Sequence, residues 1–232
     1  MHVYWLEQVN TDTPAGDHWL SAAERERSYG FRFQNRRADW RLGRWTAKLA
    51  VAAAAHLPCD GEALAFLEIR SASSGAPEAF VQGKPAPVVI SLSHRAGRAA
   101  CAVAPAGTGL GCDLELAEPH SAAFVSDFFT TEEQERIARF SQRFRLQSVG
   151  LLWSAKESTL KALREGLRLD TRSVAVTLTE PVEPTSGGFW HPLDVRCRDG
   201  QAFHGWWQDE GGFLRTLVTA PSAGPPVPLS FR

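Results

Sequence analysis

The chain has 232 residues, 44% of them apolar and 10% aromatic with eight tryptophans, which is enough to bury one large core or two small ones. Its formal charge of −1 and pI near 6.7 give no overall attraction to nucleic acid or an anionic membrane, so any anion must be held by a local cluster. Cys59, Cys101, Cys112 and Cys197 are far apart with no CxxC pair, which suggests neither a zinc knuckle nor a disulfide framework and fits a reducing cytoplasm.

The opening MHVYWLEQVN has neither a basic n-region nor an apolar h-region, and the longest apolar run, Leu49 to Ala55, is far too short for a membrane span. Arg36 to Leu57 form a long helical pattern closed by Pro58. Along it Arg37, Arg41, Arg44 and Lys48 make one stripe, suited to a multiply phosphorylated ligand or to a solvated basic face. VQGKPAP then puts Lys84 in a Gly-Pro turn, and ISLSHRAGRAACAVAP puts Ser93 and His94 at a strand end before a Gly turn and a small-residue strand. A lone histidine there reads more readily as a turn residue than as a catalyst. PAGTGLG, Pro105 to Gly111, marks a boundary near mid-chain. The expected organisation is an N-terminal half over 1–107, a C-terminal half over 108–220 and a Pro-rich tail over 221–232, loop-like or disordered.

In GLGCDLEL the alternation is strict, with Leu110, Cys112, Leu114 and Leu116 on one face of a strand and Gly111, Asp113 and Glu115 on the other. Carboxylates two apart on a strand are separated by about 6.7 Å at Cα, near enough for both to reach one cation, and an all-oxygen set points to magnesium rather than zinc. The alternative is a half-buried strand with a solvated acidic face. Thr130 with Glu133 makes a capping box that starts the next helix, whose Arg136, Arg139 and Arg143 form a basic stripe. LLWSAKESTLKALREGL, Leu151 to Leu167, reads as a further helix with Trp153, Leu160, Leu163 and Leu167 on one arc. Lys156 projects into that arc, Glu157 and Lys161 flank it, and Ser154, Ser158 and Ala162 take the opposite side. If the Trp153 face packs on the sheet, Glu157 joins Asp113 and Glu115, and three crowded carboxylates call for a divalent ion. Lysines beside such an ion suit phosphate oxygens; a plain Glu157–Lys161 surface pair is the bland reading. SVAVTL, Phe203 to Trp207 and Phe213 to Thr219 complete the strands, with TEPVEPTSGG as a loop. Each half therefore holds a long helix and two or more strands, an α+β fold of two similarly built halves. No Walker loop, Gly-x-Gly-x-x-Gly or nucleophile elbow is present.

ISLSH, GLGCDLEL, FFTTEE and WSAKESTLKALREGL, in this order and at these separations, resemble the 4′-phosphopantetheinyl transferases of the broad-specificity, surfactin-synthetase-activating type. The resemblance runs from about Arg25 to Thr177. Cys112 departs from the Ile or Val usual in the family's Gly-(Ile/Val)-Asp motif, as a small apolar substitute. The resemblance implies a pseudo-dimer of two similar α+β halves, each a small mainly antiparallel sheet packed on a long helix, with coenzyme A bound in the cleft between them. It implies Mg²⁺ held by Asp113, Glu115 and Glu157, and catalysis by Glu157, Lys161 and Asp113. Arg44, Lys84, Ser93, His94, Lys156 and Lys161 match coenzyme A contacts, with Arg27, Arg37 and Lys48 as further members of the N-terminal pattern. The implied reaction moves the phosphopantetheine arm to a serine of an apo acyl or peptidyl carrier protein, the acidic carrier being steered by the Arg136, Arg139 and Arg143 stripe. A cytoplasmic monomer without nucleic acid or membrane partners is expected. Two rivals stay open at this point, a Mg²⁺-dependent hydrolase of a nucleotide pyrophosphate and a catalytically silent carrier-binding protein.

Overall fold

A computed structural model describes residues 1–178 and 188–229, with the side chains of Gln142, Arg143 and Leu167 outside the description. The TEPVEPTSGG loop thus lies almost wholly outside the described residues. The fold is α+β. In chain order it comprises β1 (Tyr4–Val9), α1 (Ala22–Tyr29), α2 (Gln34–Ala54), α3 (Gly61–Ala65), β2 (Leu67–Ser71), β3 (Pro77–Val81), β4 (Lys84–Pro85), β5 (Val88–Arg95) and β6 (Arg98–Pro105). Then follow β7 (Gly109–Leu116), α4 (Ala122–Phe128), α5 (Thr131–Arg139), α6 (Gln142–Ala162), β8 (Val174–Leu178), β9 (His191–Cys197), β10 (Ala202–Glu210), β11 (Phe213–Ala220) and β12 (Val227–Pro228). Among the described residues no helix is long and apolar enough to cross a membrane.

The chain divides into two compact units, Met1–Thr108 with Val227–Arg232, and Gly109–Pro226. In the first, a four-stranded sheet of order β12-β1-β6-β5 and a three-stranded sheet of order β2-β3-β4 surround α2, whose Ala47, Leu49, Ala50, Val51 and Ala52 fill the core. The described part of the Pro-rich tail, through Leu229, is tied to the sheet. Val227 and Leu229 donate backbone hydrogen bonds to Val3 and Trp5, so β12 adds a short parallel strand to β1. Proline is tolerated there because β12 is an edge strand that needs few donors.

In the second unit an antiparallel sheet of order β7-β11-β10-β9-β8 packs against α6. The helix begins nine residues before Leu151 and stops at Ala162, short of Leu167, because Arg164 (φ 59°) and Gly166 (φ 54°) take left-handed backbone conformations that break the helical repeat. The sheet-facing side is the opposite of the expected one. Gly150, Ser154 and Ser158, spaced one turn apart, lie against β7 and β11, and a Cβ on Gly111 would come within 1.7 Å of the Ser158 carbonyl oxygen. Small residues on both elements allow this approach. Trp153 instead meets α4, with ring centroids 4.9 Å from Phe124 and 5.1 Å from Phe128.

One device recurs in both units. The capping box expected at Thr130 forms, with the Glu133 amide 3.2 Å from Thr130 Oγ1 and the Thr130 amide 2.8 Å from Glu133 Oε2. Ser21 and Glu24 make the same box at the start of α1. Each glutamate also accepts from a strand amide, Ile69 in β2 at 3.0 Å and Val176 in β8 at 2.9 Å. Each then takes a fully buried ammonium, Lys48 of α2 on Glu24 and Lys156 of α6 on Glu133. The remaining ammonium donors go to carbonyls, of Trp19 and Leu64 for Lys48, of Thr171 and Val174 for Lys156. Burial pulls the pKa of both lysines below the ordinary value, while the partner glutamate works in the other direction.

Removing one member of such a pair strands the other charge in the interior. Lys156→Met should therefore lower unfolding free energy by about 3–5 kcal/mol in urea titrations, and Lys156→Met with Glu133→Gln should recover much of the loss.

Candidate functional site

The β7 alternation sends Asp113 and Glu115 to the helix side of the sheet, and the glycine–serine approach of α6 brings Glu157 down to them. One carboxylate oxygen from each of Asp113, Glu115 and Glu157 lies within 4.8 Å of the others. Asp113 is therefore not on a solvated face, being 2% exposed, while Glu115 is half-buried. Lys161, one turn beyond Glu157, donates to Asp113 Oδ1 at 2.7 Å and to the Cys112 carbonyl at 3.0 Å. A small cavity beside the cluster is lined by Glu157, Leu160, Lys161 and Gly166.

Asp113 has a donor on each oxygen, since Ser154 Oγ reaches Oδ2 at 2.8 Å. Burial, reinforced by the charges of Asp113 and Glu115 and opposed by Lys161, pushes the Glu157 carboxyl up to about 7. Burial works against the Lys161 ammonium, but Asp113 and Glu157 outweigh it and hold its pKa above the ordinary lysine value. A carboxyl that resists ionisation beside two others marks a site with more negative charge than its lysine offsets. Three oxygen ligands and a partly open recess suit a divalent cation, with Mg²⁺ a better match than zinc.

The other expected contacts fall differently. Lys156 and Lys48, read as coenzyme A ligands, are fully buried, with their ammonium groups on Glu133 and Glu24. The basic stripe of α2 is engaged with acids of its own unit, although only Lys48 is fully buried. Arg37 and Arg41 converge on Asp17, with Arg37 3.2 Å away and also on Ser28 Oγ, and Arg44 is a partly buried guanidinium facing Glu24 at 4.0 Å. Burial draws the Arg44 pKa down despite Glu24. Arg27, Arg44 and Arg70 nevertheless line one pocket of the first unit. Lys84 is exposed on β4, His94 is exposed and Ser93 buried near the end of β5. Arg136 and Arg139 are exposed on α5, while the Arg143 side chain lies outside the described residues. Sequence reasoning passed over Ser154 and Thr216, which join Asp113 in a buried hydroxyl cluster. Thr216 sits directly opposite Asp113 in the β7–β11 register, a pairing visible only once the strands are aligned.

Residues 109–205 match the family model of the 4′-phosphopantetheinyl transferase superfamily. The matched stretch, under half of the chain, contains Asp113, Glu115, Glu157 and Lys161, and it supports a transferase that moves phosphopantetheine to carrier proteins. No curated protein matches the chain.

The raised Glu157 pKa sets a sign for stability. A carboxyl that binds its proton more tightly folded than unfolded stabilises the metal-free fold below its folded pKa and loses that contribution as pH rises toward about 7. A divalent cation removes the repulsion, so the increase in melting temperature on replacing EDTA with Mg²⁺ should be larger near pH 8 than near pH 5. Thermal denaturation at the two pH values checks this.

Proposed function

We propose that this protein transfers the 4′-phosphopantetheine arm of coenzyme A to a serine hydroxyl of an apo acyl or peptidyl carrier protein, as a transferase of the broad-specificity, surfactin-synthetase-activating type. The observation that carries the reading is the convergence of Asp113, Glu115 and Glu157 within 4.8 Å, with Lys161 2.7 Å from Asp113, inside the matched stretch. The resemblance of the N-terminal motifs supports the finer type. Mg²⁺ on the three carboxylates would supply charge neutralisation for the pyrophosphate of coenzyme A.

The carrier serine oxygen attacks the β-phosphorus, its new P–O bond forming as the bond to the bridging oxygen breaks, and adenosine 3′,5′-bisphosphate leaves. Lys161 places a fixed positive charge beside the reacting phosphates, where a preorganised charge acts without reorganising at the moment of reaction. Its existing bonds to Asp113 and the Cys112 carbonyl hold the ammonium at the edge of the recess. Glu157, beside the recess next to Lys161, accepts the serine proton, directly or through water. Arg44, Lys84, Ser93 and His94 contribute coenzyme A contacts, and Arg27 and Arg37 belong to the same N-terminal set. Arg136 and Arg139, exposed on α5, steer the acidic carrier. Glu133 does not cancel their charge, because it is already taken by Lys156.

Incubation with apo carrier proteins, coenzyme A and Mg²⁺, read by intact mass spectrometry, should show a phosphopantetheine mass gain that EDTA abolishes. Cleavage of coenzyme A without a gain on any carrier would favour the hydrolase instead. Glu157→Gln and Asp113→Ala should each remove transfer while leaving the circular dichroism spectrum unchanged, and retained transfer at saturating Mg²⁺ would contradict the site. Reversing charge at Arg139 should raise the carrier KM and leave that of coenzyme A unchanged in steady-state kinetics.

A further inference from the structure

Buried hydroxyls on a helix usually satisfy themselves by donating to the carbonyl four residues back. Thr46 of α2 does so, to the Leu42 carbonyl at 2.8 Å, and Thr159 of α6 does so to Ala155 at 2.8 Å. Ser154 and Ser158, on the same α6, turn away from their own helix. Ser154 Oγ lies 2.8 Å from Asp113 Oδ2 and 2.8 Å from Thr216 Oγ1, and Ser158 Oγ lies 2.8 Å from the same threonine oxygen and 3.3 Å from its carbonyl. All three hydroxyls have no exposed surface.

Their proton order follows from one fact. An ionised carboxylate only accepts, so the single Ser154 proton goes to Asp113. Ser154 must then accept from Thr216, which has no other proton to give, and Thr216 accepts from Ser158. The result is a one-way chain, Ser158 to Thr216 to Ser154 to Asp113, in which each link polarises the next in a buried setting. It ends on Oδ2 and leaves Oδ1 as the oxygen turned to Lys161.

We propose that Ser154, backed by Thr216 and Ser158, is a positioning residue that fixes the Asp113 carboxylate so that one defined oxygen faces the cation site. This deepens the reading of that site and rests on it. Three observations agree: the two serine hydroxyls desert the helix bond that their neighbours make, all three hydroxyls are buried, and Thr216 stands opposite Asp113 in strand register. A serine with only a packing role would have no need of a directed chain ending on a carboxylate. Hydrogen bonds to ligating groups orient them and tune their affinity, and losing one typically weakens metal binding about 10–100-fold.

The test uses the full-length protein without coenzyme A or carrier and Mn²⁺ as the probe, with free ion read by electron paramagnetic resonance. Ser154→Ala should raise the Mn²⁺ Kd at least about tenfold, and Thr216→Val, which keeps the direct Ser154 bond, should raise it by a smaller factor. Ser148→Ala is the control: Ser148 is equally buried on α6 and its hydroxyl has no hydrogen-bond partner among the described residues, so Kd should not move. In the transfer reaction Ser154→Ala should raise the Mg²⁺ concentration for half-maximal rate without changing the coenzyme A KM. Wild-type protein that binds no Mn²⁺ would overturn the cation site itself. Wild-type binding with an unchanged Kd in Ser154→Ala would overturn only the positioning role. Should Ser154→Ala fail to fold, an unchanged Kd in Thr216→Val decides against the chain.

Discussion

A lysine ammonium sealed against a glutamate is the constraint on which each unit depends. Its strength comes from how many elements meet at one carboxylate. Glu133 closes the first turn of α5, takes the Val176 amide of β8 and receives Lys156 from α6, so three elements are pinned at one point. Glu24 does the same for α1, β2 and α2. Desolvating two charges is unfavourable in itself, and it succeeds here because every remaining donor and acceptor finds a carbonyl or amide. Apolar residues of similar volume would pack as well but would not specify which helix meets which strand.

That constraint sets the rotation of α6, and the rotation sets the site. With Lys156 aimed at α5, the next residue is turned about 100° and faces the acidic side of β7, while Lys161, one turn further, arrives beside Asp113. The first unit carries the buried pair without the charges beyond it. Counting from the paired lysine, Leu49 stands where Glu157 stands and Ala53 where Lys161 stands, and Leu49 enters the apolar core. One device therefore serves a dry interior in one unit and a cluster of carboxylates in the other. In the second unit burial, and after it the charges of Asp113 and Glu115, disfavour the ionised form of Glu157.

Much of the site was legible in sequence because its signals are local. Alternation in GLGCDLEL placed Asp113 and Glu115 on one face, Thr130 and Glu133 announced their helix start, and helical spacing kept Glu157 next to Lys161. What escaped depends on partners far along the chain. Lys156 and Lys48 look like ligand residues by spacing alone, since nothing local reveals a glutamate more than twenty positions upstream that neutralises them. Serine counts as polar on a helical wheel, so the Ser154 and Ser158 face reads as solvated, although small size lets it make the closest approach to the sheet. The tail reads as loose because proline breaks regular structure, yet two backbone donors suffice to bind it to β1.

The same serines connect packing to chemistry. A stripe of small residues brings a helix close to a sheet, but glycine and alanine would do that without adding any polar atom. Serine at positions 154 and 158 adds hydroxyls that must be satisfied in a buried contact, and Thr216 across the interface completes them. Asp113 then becomes the acceptor that terminates the chain, with Lys161 on its other oxygen. The orientation of that carboxylate is thereby tied to the spacing between α6 and β7. Gly111 controls this spacing because any side chain there would meet the Ser158 carbonyl. A methyl group at position 111 would thus act on the acid cluster through distance alone, by opening the interface across which the hydroxyls reach.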